Sequence, residues 1–174
     1  MKVTLVRHAA PSASSTVSPT RWPLSRDGRR EARALRHRLA SHEGLWIASR
    51  ELKALETLQC LTLTEHGPIL QDTRFDEVRR DEPFDGDFRS RRRAWVEGRL
   101  DARHAGWETP NEAASRFDDA VRAYAARSDQ LVIGSHGMVI TAWLIHTERV
   151  QPGAAAGRFW EALAFPDLFE VDLQ

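Results

Sequence analysis

Two histidines stand where the chain could do chemistry. His8 follows the short apolar run Val3 to Val6, and His136 follows Leu131 to Gly134 across Ser135. Each is succeeded by a small residue, Ala9 or Gly137, at the mouth of a loop or helix. Arg7 adjoins the first histidine. Imidazoles beside a guanidinium and the N–H groups that open a helix make an anion site, and phosphate is the anion such sites usually take. The condition is that the two runs are neighbouring strands. Taken singly, either histidine reads equally well as a hydrogen-bonded core residue. His37, His42, His66, His104 and His146 lack this setting and read as surface or packing residues.

The elements that must position these groups follow from periodicity and punctuation. Val3 to Val6 is short and β-branched, a buried strand ending at Arg7 and His8. A Ser/Pro/Thr-rich loop runs from Pro11 to Pro23, and Ser25 opens a helix with Ala32, Leu35 and Leu39 on one face, closed by Gly44. Leu45 to Ala48 is a second strand, leading at Ser49 into a helical run through Leu63. Arg74 to Trp107 is a polar excursion with one short helix and few apolar anchors, Trp95 and Leu100 among them; Arg91 to Arg93 reads as a solvated face. Thr109-Pro110-Asn111-Glu112 carries a capping box with proline at the first helical position, and Ala113, Phe117, Val121 and Tyr124 give that helix its apolar face. Leu131 to Gly134 is a third strand, Gly137 begins another helix, and Leu168 to Leu173 alternates as a terminal or edge strand does. Strands alternating with helices predict a three-layer α/β/α fold with a mostly parallel central sheet and helices on both faces. Such sheets bind ligands beyond the carboxyl ends of their strands. We expect one domain over residues 1–174 with a polar insertion at about 78–107.

Composition narrows the class. The 174 residues carry 25 Lys+Arg against 25 Asp+Glu, which argues against a nucleic-acid or membrane-surface binder. No apolar stretch approaches the ~20 residues of a membrane span, and the N-terminus meets Arg7 and His8 too early for a signal peptide. A cytoplasmic protein, monomer or homodimer, is expected. Cys60 is the one cysteine, so an internal disulfide and a multi-cysteine zinc site are excluded. It reads as a core residue. Only two of the 25 cations, Lys2 and Lys53, are lysine.

At this point the chain resembles a known family. Leu5-Val6-Arg7-His8-Ala9 is similar to the opening Arg-His motif of the histidine phosphatase superfamily, which includes phosphoglycerate mutases. Pro23-Leu24-Ser25 with Gly28 and Ala32 resembles its "Pro-Leu-Ser/Thr…Gly…Ala" helix start. Ala48-Ser49 with Lys53-Ala54-Leu55-Glu56-Thr57 resembles its "Ser-Ser…Arg-Ala…Glu-Thr" segment. Phe75-Asp76-Glu77 looks like its "Leu-x-Glu", and Val132 to Gly137 resembles its second-histidine strand. Five pieces in order are more specific than any one.

The resemblance implies roles. His8 is the nucleophile, attacking phosphorus as neutral imidazole with its far nitrogen held by a backbone carbonyl. Arg7, Lys53 and His136 bind the phosphoryl oxygens, with the Gly137 helix start and a loop serine, Ser14 or its neighbours Ser12 and Ser15, as further contacts. Glu77 protonates the leaving alkoxide and later takes a proton from water, for which a raised pKa is expected. The product is that of a phosphomonoester hydrolase needing no cofactor and no metal, acting on a small phosphorylated substrate. A phosphohistidine or phosphoprotein phosphatase is the alternative, and the short chain disfavours mutase transfer.

Lys53 departs from the common arginine and lacks its two-pronged grip. Arg50, Arg79 and Arg80 lie near motif residues and could replace it. The lysine also leaves open a non-catalytic phospholigand binder of the same fold. A metal enzyme built on two histidines and a carboxylate is the remaining rival. The chain has no His-x-His or His-Glu-x-x-His spacing, and Arg7 beside His8 repels a divalent cation.

Overall fold

The computed structural model describes residues 1–39, 43–62 and 67–173. Its elements run β1 (Lys2–Arg7), α1 (Arg26–Ala34), β2 (Leu45–Ala48), α2 (Leu52–Leu61), β3 (Leu70–Gln71), α3 (Phe88–Val96), α4 (Pro110–Ala125), β4 (Gln130–Ser135), α5 (Gly137–His146), α6 (Ala154–Ala162) and β5 (Asp167–Asp172). The sheet order is β3-β2-β4-β1-β5. All pairs are parallel except β1 with β5. Arg7 pairs with Ser135 in register, so the condition set for the two histidines is met: both leave the sheet at one end.

Successive residues of a strand face opposite sides, and two cores follow from that. Val3, Leu5, Ile47, Leu131 and Ile133 pack with α4, α5 and α6 on one face. Val6, Trp46, Ala48 and Val132 pack with Leu58 and Leu61 of α2 on the other. Cys60 is buried with Ala9, Leu24 and Ala32, as a core residue should be.

Local signals place the starts of elements. The Ser25 hydroxyl accepts the Gly28 N–H at 3.0 Å. A Cβ on Gly28 would meet the Ala10 carbonyl oxygen at 2.3 Å, so α1 reaches the loop after β1 only because that residue is glycine. The capping box at Thr109 and Glu112 is formed. Thr57 accepts the Ala9 N–H at 2.9 Å, and Glu56 accepts the Leu24 N–H at 2.7 Å while pairing with Arg29. The segment "Glu-Thr" thus fastens the loop leaving β1 to α2.

Several boundaries and burials differ from expectation. Helix α1 ends at Ala34, and a single 3-10 turn over Arg36–Arg38 brings Leu39 into the core. Helix α2 starts at Leu52 with Glu51 as N-cap; Leu63, like His42 and His66, lies outside the described residues. Helix α6, which buries Ala156, Gly157 and Trp160, and the two-residue β3 are additions to the expected elements. Within the polar excursion Trp95 is fully buried, donating its indole N–H to the Glu108 carbonyl, but Leu100 is exposed. Arg91 is no solvated residue: it is buried, bonded to Asp85 at 2.8 Å and to the Pro83 carbonyl. His104 is buried and bonds the Arg91 carbonyl, whereas His37 and His146 are exposed. Among the described residues no helix is long and apolar enough to cross a membrane.

Candidate active site

The carboxyl ends of β1 and β4 deliver His8 and His136 with ring centroids 5.1 Å apart. His8 Nδ1 lies 2.8 Å from the Ala9 carbonyl. A carbonyl can only accept, so Nδ1 carries the hydrogen and Nε2 keeps its lone pair. Burial, then the neighbouring His136 and Lys53, push the His8 pKa well below the ordinary histidine value. The ring is neutral at physiological pH, as a nucleophile must be.

His136 is fully buried behind His8 and does not form part of the chamber wall. Ser49 decides its hydrogen. The Ser49 hydroxyl donates to Asp76 Oδ1 at 2.8 Å and accepts the Glu51 N–H at 3.0 Å, so its remaining lone pair takes a hydrogen from His136 Nε2 at 2.8 Å. Nδ1 of His136 is then bare, buried and without a hydrogen-bond partner. Burial and the Lys53 charge hold this ring neutral too.

Arg7 lies under the same floor. Its Nη1 donates to the Leu163 carbonyl at 2.5 Å, and its guanidinium stacks 3.5 Å above the Phe165 ring. Nε has no partner, and burial pushes the pKa down to about 10, which leaves the group charged at neutral pH. Gly137 lines the chamber, and a Cβ there would stand 3.1 Å from Arg7 Nε and from Trp160 Nε1.

Three expectations need correction. The first concerns Lys53. Its ammonium is bonded to the Glu51 carboxylate, a contact of two side chains each 7 % exposed, and donates to the Pro19 carbonyl at 2.9 Å. The other Glu51 oxygen accepts the Glu77 N–H at 2.9 Å and lies 3.6 Å from His136 Nε2. With both histidines neutral, Arg7 and Lys53 face Glu51 and Glu77, so the floor is balanced in charge and not cationic.

The second concerns Glu77. Burial pushes its carboxyl up, but the Arg80 guanidinium, the His136 ring and the Val78 N–H outweigh burial, and its pKa lies below the ordinary value. Its oxygens accept N–H groups from Val139 at 3.1 Å and Met138 at 3.4 Å. The N-terminus of α5 therefore already holds an anion, the Glu77 carboxylate itself. A raised pKa is not a property of this resting site.

The third concerns Ser14. Its hydroxyl pairs with Thr16, and it borders a smaller recess beside the chamber, as Ser15 does; Ser12 borders neither. Pro11, Ala13, Ser18, Pro19, Thr20 and Trp22 are the residues of this loop that line the chamber. Of the arginines considered as replacements for a family arginine, Arg80 lines the chamber and Arg50 and Arg79 do not.

Above this floor opens a chamber of about 570 Å³, within the range of small-molecule sites. Phe165, 5.3 Å from the His8 ring, is one wall. Trp22 and Phe84 meet edge to face at the mouth. Sequence reasoning missed these aromatics, and it missed Ser49, Asp76 and Glu51 as working residues. Ser49 and Asp76 sat inside the motif segments, which was the available signal. No group of three or more His, Cys, Asp or Glu side chains among the described residues is arranged to hold a metal ion.

Known proteins agree with this architecture. The family model of the histidine phosphatase superfamily (branch 1) matches residues 3–161. Mycobacterial glucosyl-3-phosphoglycerate phosphatase is similar in structure, with a TM-score of 0.75 at 22% identity over 98% of this chain and 89% of that one. Bacillus stearothermophilus YhfR gives 0.73 at 19% identity, covering 99% and 91%. Phosphoserine phosphatase from Entamoeba histolytica, in complex with phosphoserine, gives 0.69 at 13% identity, covering 99% and 91%. No curated protein sequence matches the chain.

Proposed function

Because the chain belongs to the histidine phosphatase superfamily, branch 1, we propose that it hydrolyses a small phosphomonoester through a phosphohistidine formed on His8. The observation that carries this reading is the His8 ring. It is neutral, its Nδ1–H is fixed on the Ala9 carbonyl, and it borders a chamber that Arg7, Lys53 and Glu77 also line. The names of the structural neighbours, two of them phosphatases of small phosphate esters, support the substrate class.

In the first step His8 Nε2 forms a bond to phosphorus while the ester P–O bond breaks. Arg7 and Lys53 hold the phosphoryl oxygens, and the proton of a Glu77 carboxyl passes to the leaving alkoxide. In the second step water attacks the phosphohistidine, Glu77 takes the proton from that water, and the P–N bond breaks to free phosphate and neutral His8. Glu77 must therefore hold a proton when substrate is bound, although it is ionised in the resting site. The arriving phosphoryl dianion supplies the cause: negative charge brought beside a carboxylate raises its proton affinity. His136 can donate to a phosphoryl oxygen only through Nδ1, and only after gaining a proton there.

Hydrolysis and not mutase transfer is the outcome we assign, and the 570 Å³ chamber favours a small substrate over a protein surface. The test is brief incubation with a chromogenic phosphomonoester followed by assay of an acid-labile, alkali-stable phosphoryl label on protein. Wild type turns over and is labelled, and His8→Ala does neither. A wild-type protein that binds phosphate but neither turns over nor labels across a broad ester panel is the non-catalytic phospholigand binder instead.

A further inference from the structure

Building on the phosphomonoesterase reading, we propose that the alcohol released is apolar and uncharged, of the arylalkyl type. In-line displacement puts the nucleophile and the leaving oxygen on opposite sides of phosphorus. The alcohol of a substrate seated at His8 therefore extends away from the buried floor and into the chamber. Its wall there is aromatic and aliphatic: Phe165 beside His8, Met138 and Trp160 deeper in, and Trp22, Phe84 and Phe88 towards the mouth. The Trp22 indole N–H is held by the Ser14 and Val17 carbonyls, and its ring meets Phe84 at 6.1 Å and 87°. Phe84 is 66% exposed, Phe88 45% and Phe165 41%, three of the five large apolar side chains exposed among the described residues. Exposed aromatics gathered around one concavity mark a ligand surface better than scattered ones do.

Charge points the same way. Arg80 and Arg92 border the chamber, and both are bonded to the Glu82 carboxylate, at 3.0 and 2.6 Å. Arg91 behind them is held by Asp85, and Asp81 adds another carboxylate to the lining. With Arg7 and Lys53 given to the phosphoryl group, the other two lining cations among the described residues, Arg80 and Arg92, already share the Glu82 carboxylate. A carboxylate on the alcohol, as in phosphoserine or a phosphoglycerate, would have to displace Glu82 from its arginines. An aromatic ring needs only to cover Phe84, Phe88 and Trp22.

The test compares esters of similar alkoxide leaving ability, so that chemistry does not set the order: 2-phenylethyl phosphate, 3-phosphoglycerate, O-phosphoserine and phosphocholine. The expected result is a kcat/KM for 2-phenylethyl phosphate at least tenfold above each of the others. In Phe84→Ala/Phe88→Ala, both positions being exposed and outside the core, that ratio drops at least fivefold, mainly through KM. Equal or better turnover of phosphoglycerate or phosphoserine overturns the assignment while the phosphatase reading stands. A preference for phosphocholine overturns it too, showing that the aromatic mouth receives a cation. A ratio unchanged in the double variant also refutes it. Absence of turnover on every ester, with no phosphoryl label on His8, overturns the phosphatase reading and this one with it.

Discussion

Replacing Glu51 by glutamine tests the charge balance of the floor. The side chain keeps its size and an oxygen that can accept the Glu77 N–H, but the Lys53 ammonium loses its counter-charge. Removing one partner of a fully buried ion pair costs about 3–5 kcal/mol. Here both groups border an open chamber and Lys53 keeps the Pro19 carbonyl, so about 2 kcal/mol is the expected loss. For a chain of this size that lowers Tm by roughly 4–8 °C. Phosphate affinity moves in the opposite direction. One negative charge removed at a separation taken as about 6 Å from a bound phosphoryl group, at an effective dielectric of about 20–40, is worth roughly 1.4–2.8 kcal/mol per phosphoryl charge. Binding of inorganic phosphate should tighten by about tenfold or more. Thermal melts with and without phosphate, alongside calorimetric titration, read both effects. Glu51→Gln should melt lower than wild type alone and gain more from phosphate. If phosphate affinity is unchanged or weaker in the variant, Glu51 does not act as the counter-charge of Lys53 and the reasoning fails.

Other predictions follow from single contacts. Gly137→Ala puts a methyl group 3.1 Å from Arg7 Nε and Trp160 Nε1; the guanidinium must give by a few tenths of an ångström, and kcat/KM should drop by about tenfold, short of the ~10²-fold that a ~1 Å misplacement can cost, with fold retained by circular dichroism. Ser49→Ala removes the group that fixes the His136 hydrogen on Nε2; kcat should decline about tenfold or more, with the pH profile displaced, and a purely structural serine would lower stability without moving that profile. Because the Glu77 pKa is depressed and the first step needs its proton, kcat/KM should rise as pH is lowered from 8 towards 5.5, and Glu77→Gln should abolish that dependence. The same depressed carboxyl favours the native state while it is ionised. Its contribution is whole above the ordinary glutamate value of about 4.3 and is lost as pH drops through the lower native one, which urea titrations at pH 6, 4 and 3 would show.

The placement of the two histidines at the ends of β1 and β4 was readable because two features coincided: apolar β-branched runs and a histidine at the end of each. Capping signals at Ser25 and Thr109 were equally readable, since each rests on a contact within one turn. What stayed hidden depends on partners distant in the chain. Glu51 reads as an ordinary helix-start acid, and only the fold brings it to Lys53, Glu77 and His136 together. Arg91 reads as one charge in a solvated run until Asp85 and Pro83 close over it. Glu77 was expected to gain proton affinity from burial, and burial does act that way; the Arg80 charge, the His136 ring and the Val78 N–H reverse the outcome, and of these His136 is brought there only by the fold.

A floor whose charges cancel also sets the rhythm of turnover. Inorganic phosphate shares the phosphoryl group of every ester, so a strongly cationic floor would hold the product as firmly as the substrate and stall on it. On the proposed mechanism Glu51 beside Lys53 weakens the grip on that shared portion, and ready release of the product is the expected outcome. Selectivity then has to come from the part of the ester that the product lacks. The division of labour we propose is spatial: the histidine end would perform the reaction while the aromatic mouth would decide which molecules stay long enough to undergo it.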